Sequence, residues 1–155
     1  MTGRDTIGVI VLVAALASAD RMLDIDEPAA KTLTEWQSDA RNKITIRHLL
    51  TLTAGLQGAG EIARPPTYLD AITATAALPP GSKFAYGPTP FQCFGEIMKR
   101  KLKAANKPTD PVAWLQVRLF DGLGIRPTDW KRGRDGNPFL PQGAHFKARD
   151  WATFG

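Results

Sequence analysis

Residues 6–20 read TIGVIVLVAALASAD, and the rest of the architecture depends on what this run is. It has the apolar centre of a secretory signal peptide, with Arg4 before it and Ala17-Ser18-Ala19 as a cleavage site; Asp5, however, cancels the charge of Arg4. As a membrane anchor it falls short. The apolar part, Ile7 to Ala17, is about 11 residues, and a spanning helix needs roughly 20. The third structure that suits it is a buried helix of a soluble domain. Composition leaves the first and third open.

A chain of 155 residues suits one domain, and at that size about two-thirds of the unfolded surface is buried on folding. With 43% apolar and 23% charged residues it has the balance of a globular protein, which excludes a disordered chain. Cys93 is the single cysteine, so no internal disulfide forms. With His48 and His145 as the only histidines, no metal-ligand cluster is expected, and no cofactor motif is present. The formal charge of +5 concentrates at Lys99-Arg100-Lys101 with Lys103 and at Lys131-Arg132 with Arg134. Aromatic residues do not interleave with these clusters as a nucleic-acid platform requires. The first cluster instead suits a helix C-terminus, where cations complement the dipole. No nucleic-acid partner is expected.

Outward from the opening run, Asp20-Arg21 makes a turn, and Leu23 to Ile25 a short extended piece ended by Pro28. A helix is expected over 45–54, capped by Thr45, with Ile46, Leu49, Leu50 and Thr53 on one face and Gly55 as its stop. Residues 57–66, QGAGEIARPP, form a loop. Thr67 caps a short helix. Pro80-Gly81 suits the centre of a type II turn. Pro88 and Pro90 forbid helix or central strand around them, which leaves Tyr86 on a constrained irregular stretch. An amphipathic helix follows over 91–104, with Phe91, Phe94, Ile97, Met98 and Leu102 on its apolar face. Another runs over 111–121, with Asp110 as N-cap, Pro111 in the first position and Gly122 near the stop. Asp135-Gly136 makes a turn, and helix resumes from about Lys147. The expectation is a mainly α chain with almost no strand.

Six segments carry a resemblance: RMLDIDEP (21–28), ITIRHLLTLTAGL (44–56), LPPGSKFAYGP (78–88), FQCFGEIMKRKL (91–102), RLFDGLGIRPTDW (118–130) and GAHFKARDWATFG (143–155). In this order they resemble the β-lactamase-related serine hydrolases, the group of class C β-lactamases, D-alanyl-D-alanine carboxypeptidases and similar esterases. The resemblance implies the α/β fold shared with penicillin-binding proteins, of which this chain is similar to the helical subdomain and the nucleophile helix. It also implies an acyl-enzyme chemistry. A serine in S-x-x-K attacks, the lysine one turn later handles its proton, a tyrosine in Y-x-N shares that work, and a K-T-G or H-x-G strand faces the substrate. The implied partner is a small-molecule acyl substrate, with neither nucleic acid nor an integral membrane span. The family is often periplasmic or secreted.

By the resemblance, Tyr86 in FAYGPTPFQ takes the tyrosine role. Pro88 stands where the motif has asparagine, so a substrate-binding amide is absent. Leu52 stands where many relatives have histidine. The run at 6–20 is similar to the helix behind the nucleophile, which favours the buried helix over the signal peptide. S-x-x-K would then fall at Met1-Thr2-Gly3-Arg4, which has no serine and has arginine for lysine. Arginine stays protonated and cannot act as a base. Ser18, Ser38 and Ser82 are the only serines, and none has lysine three residues later. The expectation is one partial domain over 1–155, without the N-terminal strands, the S-x-x-K motif or the C-terminal strands, and inactive alone. The alternative is a non-catalytic helical domain that binds a ligand or protein partner. Cys93 and His48 are expected to pack rather than react. Trp36, Trp114, Trp130 and Trp151 are expected in the core and its rim rather than in a cleft.

Overall fold

The computed structural model describes residues 4–57 and 64–154, with side chains described for 8–57 and 64–153. The centre of the expected 57–66 loop and the first three positions of the expected nucleophile motif lie outside them. The chain runs from α1 (Arg4–Ala19) through three 3-10 turns, Ala29–Lys31, Thr34–Trp36 and Ala40–Lys43, to α2 (Ile46–Leu50) and α3 (Tyr68–Ile72). The long helix α4 (Thr89–Ala104) follows. Then α5 (Pro111–Leu115) passes through a π-helical turn, Gln116–Phe120, into α6 (Asp121–Leu123). A two-residue antiparallel ladder, β1 (Asp129–Trp130) on β2 (Ala144–His145), precedes α7 (Ala148–Phe154). The fold is mainly helical, as the periodicity implies.

Helix α1 buries Val9, Ile10, Val13, Ala14 and Ala17 in the common core, while Val11 is 53% exposed on the opposite side. Helix α2 is shorter than expected and packs chiefly on α4 rather than on α1. Thr45 Oγ1 accepts the His48 N–H at 3.3 Å, and His48 Nδ1 accepts the Thr45 N–H at 3.1 Å, a capping box with histidine in place of the usual glutamate. The helix stops at Leu50 because the left-handed residue that closes it is Leu52, φ +58°, three residues before Gly55. Thr53 N then donates to His48 O at 2.9 Å. This six-to-one closure recurs at three other helix ends. Arg21 (φ +57°), Asn106 (+53°) and Gly124 (+66°) hold the left-handed position after α1, α4 and α6, with Met22 N on Ala17 O, Lys107 N on Leu102 O and Ile125 N on Phe120 O. The stop near 122 is therefore Gly124, not Gly122.

Helix α4 begins at Thr89, so Pro90 lies inside it, in the first turn where the missing N–H has no intrahelical partner to lose. Nor is α4 two-faced throughout. Every residue from Gly87 to Met98 is buried, and a polar face opens only from Lys99. Two of the buried polar side chains of this section, Gln92 and Glu96, have partners far along the chain or one turn on. Gln92 Nε2 donates to Pro66 O at 2.7 Å, and its Oε1 accepts from Leu140 N at 3.2 Å. Glu96 accepts from Arg100 Nε at 2.7 Å, and Arg100 also grips Glu35 at 2.8 Å. Gly95 lets α3 approach. A Cβ there would lie 2.3 Å from Tyr68 Cζ, which is why a residue unfavourable to helices sits mid-helix.

The two basic clusters are largely neutralised within the chain. Lys101 pairs with Glu27, Arg132 with Asp110 at 2.6 Å and Arg134 with Asp70 at 2.9 Å.

Candidate active site around Tyr86

Tyr86 owes its position to what lies on either side of it. Upstream, the chain from 75 to 85 is laid along 52–57 by main-chain hydrogen bonds: Gln57 N to Thr75 O (2.7 Å), Ala77 N and Leu78 N to Gly55 O (2.8 and 3.1 Å), Gly81 N to Thr53 O (2.8 Å) and Ala85 N to Leu52 O (2.9 Å). Gly55, at φ +71°, allows this closeness, since a Cβ would lie 2.2 Å from Leu78 O. The expected turn is present, with Gly81 at φ +82° and Ser82 N donating to Pro79 O at 3.2 Å. It returns the chain toward Leu52. Downstream, buried Gly87 and Pro88 lead straight into α4. The last bond of the upstream ladder is thus one residue before Tyr86, and the most buried helix starts three residues after it.

The tyrosine itself is 48% exposed, with exposed Phe84 two residues away on the same segment. Behind the segment, a cavity of about 310 Å³ is lined by Ala40, Lys43 and residues 76–80. Tyr86 is not on its wall.

The structure does not gather the other candidates around Tyr86. Cys93 is wholly buried inside α4, and desolvation pushes its thiol far above the usual range, so no nucleophilic thiolate forms there. His48 faces Gly81, with Nε2 3.5 Å from where a Cβ would be. Because its Nδ1 accepts the Thr45 N–H, the hydrogen-bond network assigns the ring proton to Nε2, the tautomer of a cap rather than of a base aimed at Gly81. Ser82 is exposed, and its Oγ donates to Pro79 O at 2.6 Å within its own turn. Ser18 and Ser38 are exposed and distant in sequence from the Tyr86 segment. Trp36 is fully buried, with Nε1 donating to Ile72 O at 2.8 Å, and Arg41 lies over its ring at 5.3 Å. Trp114 and Trp130 are also buried, and Trp151 is half-buried at the rim. No group of histidine, cysteine or carboxylate side chains able to hold a metal ion occurs among the described residues, and no described helix is long and apolar enough to cross a membrane.

Two residues with a part in this geometry escaped the sequence reading. Leu52 supplies the carbonyl that fixes Ala85, from a backbone conformation costly for a branched side chain. Tyr68, fully buried, fills the notch over Gly95, and burial pushes its phenol well above the usual value. Leucine at 52 carries no sequence signal of left-handedness, and Gly55 nearby offers a false one.

The fold is found in solved structures. A protein of Bacillus anthracis described as a 6-aminohexanoate-dimer hydrolase superposes with a TM-score of 0.76 at 15% identity, covering 99% of this chain and 45% of its own. The D-alanine carboxypeptidase AmpC of Burkholderia cenocepacia gives 0.65 at 21%, covering 97% and 46%. EstCE1, a hydrolase with promiscuous acyltransferase activity, gives 0.65 at 16%, covering 96% and 55%. The chain thus spans about half the length of the structures it matches. No curated protein matches it. The beta-lactamase family model aligns with residues 8–144, a span that takes in most of α1, the Tyr86 segment, α4 and β1 and ends at the first residue of β2, and on that match the chain belongs to the beta-lactamase family.

Proposed function

We propose that this sequence serves acyl transfer through an acyl-serine, and that Tyr86 is the proton-handling residue of that reaction. The observation that carries this is the double anchoring of Tyr86. A half-exposed phenol stands between the Ala85–Leu52 bond and the head of α4, on a backbone tied on both sides. Proton transfer in a transition state rewards such fixed placement, by about 10²- to 10⁴-fold in rate. The relatives described as a carboxypeptidase and as an acyltransferring hydrolase support the same class of chemistry. Pro88 in place of the motif's asparagine leaves the substrate without one side-chain amide to bond. The acyl group is an ester, amide or β-lactam carbonyl of a small molecule.

The absence of S-x-x-K from the 155 residues favours a second statement, that this polypeptide by itself is not acylated. The route needs a nucleophile in hydrogen-bond reach of a base, and no described serine has one. Purified 155-residue protein is incubated with an activated ester and with a fluorescent serine-acylating probe. No stoichiometric adduct is expected; one on Ser18, Ser38 or Ser82, lost when that serine is changed to alanine, would overturn the statement. The role of Tyr86 is tested in the longest polypeptide its message encodes. Tyr86→Phe should lower kcat by about 10²-fold or more with KM little changed. An unchanged kcat in an active protein would remove Tyr86 from the mechanism.

A further inference from the structure

The chain's net positive charge is unevenly distributed. Arg47, Arg100, Arg118 and Arg132 each grip a carboxylate within 2.9 Å. Around one surface cavity of about 430 Å³, between the end of α6 and α7, the pattern is different. Its wall carries Arg126, Lys147 and Arg149 against a single carboxylate, Asp150. Arg126 lies 3.7 Å from Asp121 and remains 79% exposed, the loosest of the ion pairs of the described residues. Three like charges around one concavity repel one another and concentrate a positive potential there.

The backbone that carries these cations is fixed. Arg126 follows fully buried Ile125. Lys147 follows Phe146, whose ring meets Phe120, Trp130 and Trp151 edge-on at 5.5, 6.3 and 4.9 Å between centroids. Arg149 stands two residues before Trp151, in the first turn of α7. The aromatic cluster therefore orders the roots of Lys147 and Arg149, whose tips have no carboxylate partner among the described residues, while Arg126 is held only loosely by Asp121. Two guanidinium forks and an ammonium suit a ligand that accepts hydrogen bonds in several directions and carries at least two negative charges. A planar carboxylate satisfies one fork; a tetrahedral phosphate group can meet all three side chains.

We propose that the cavity bounded by Arg126, Lys147 and Arg149 binds a multiply charged phosphate group of about diphosphate size. The site shares no residue with the Tyr86 segment and stands whether or not Tyr86 is catalytic.

Sodium pyrophosphate is titrated into the 155-residue protein at low ionic strength by calorimetry, with amide NMR shifts to locate it. Saturable one-site binding is expected, weakening as salt rises. The triple variant Arg126→Gln, Lys147→Gln, Arg149→Gln should bind at least about tenfold more weakly, with unchanged circular dichroism. A control triple that removes the same charge elsewhere, Lys43→Gln, Lys103→Gln, Lys107→Gln, should bind nearly as the parent does. Sedimentation with phosphatidate vesicles, set against phosphatidylcholine, distinguishes the sources. Vesicle binding that pyrophosphate displaces and the site triple abolishes marks a lipid headgroup; pyrophosphate binding without vesicle binding marks a soluble phosphate ligand. Absence of saturable pyrophosphate binding, or equal weakening in both triples, overturns the proposal.

Discussion

Changing Gly55 to alanine should do more harm than its backbone angle alone accounts for, and Gly124 provides the comparison. Both glycines are left-handed, at φ +71° and +66°. A Cβ on Gly124 meets nothing within 4 Å, whereas a Cβ on Gly55 meets the main-chain oxygen of Leu78 at 2.2 Å and its carbon at 2.9 Å. The left-handed conformation costs an alanine about 1–2 kcal/mol, from which about 0.4–1 kcal/mol is recovered by the stiffer unfolded chain. Gly124→Ala should therefore cost about 0.5–1 kcal/mol. Gly55→Ala carries the same cost and must also push Leu78 away by roughly an ångström, against atoms that cannot rotate aside. The bonds from Ala77 N and Leu78 N to Gly55 O are lost or stretched, at about 1 kcal/mol each. The total is about 2–3 kcal/mol. Urea denaturation of the two variants at equal protein concentration reads the difference as a shift of midpoint. Hydrogen exchange should additionally show faster exchange at Ala77, Leu78, Gly81 and Ala85 in Gly55→Ala only. If the two variants lose equal stability, the close docking of 75–85 on 52–57 is not what holds the Tyr86 segment.

Gly95→Ala should lower the urea midpoint by the equivalent of about 1–2 kcal/mol despite alanine's better helix propensity, because the fully buried Tyr68 ring has to move; a gain in stability would refute the tight α3–α4 contact. Arg21→Gly should raise stability by about 0.5–1 kcal/mol by relieving a left-handed arginine on the surface, and equal stability of Arg21→Gly and Arg21→Ala would count against that strain. Hydrogen bonds from Arg100 and Arg118 hold the Glu35 and Asp20 carboxyls below their ordinary values. Their contribution is complete above the unfolded-state values, near pH 4–5, and is lost as pH falls through the lower folded-state values. Stability should thus be flat from neutrality to about pH 5 and decline below it, and Glu35→Gln should flatten part of that decline. An acid limb identical in Glu35→Gln would remove Glu35 from the account.

Much of the helical layout is legible in the sequence because its signals are local. Thr45, Thr67 and Asp110 cap helices as their side-chain chemistry dictates, and Pro80-Gly81 turns where it should. What escapes is decided by contacts between distant segments. Leu52 rather than Gly55 ends α2, because the same stretch must also present the Leu52 carbonyl to Ala85, 33 residues on. Pro90, read as a breaker, is tolerated in a first turn. The 91–104 pattern looks amphipathic, yet packing covers all sides of its first half, and Gln92 finds its partners at Pro66 and Leu140, which no spacing rule foretells. At the candidate site only a resemblance to a family motif singles out Tyr86 in the sequence. The scaffold that fixes it is not legible there, since main-chain hydrogen bonds between loops leave no trace in side-chain type.

The unbroken burial from Gly87 to Met98 has a kinetic meaning. Main-chain amides in the interior of such a helix have no local route to solvent. They exchange only when the whole molecule opens, so the slowest amides of α4 report the global unfolding equilibrium. The exposed run from Gly81 to Tyr86 lies on the other side of that divide, where smaller openings are enough. Tyr86 therefore sits three residues ahead of the helix whose interior amides are expected to exchange last. Its side chain can rearrange on the time scale of a loop, while its Cα is tethered to a segment whose lifetime is that of the fold.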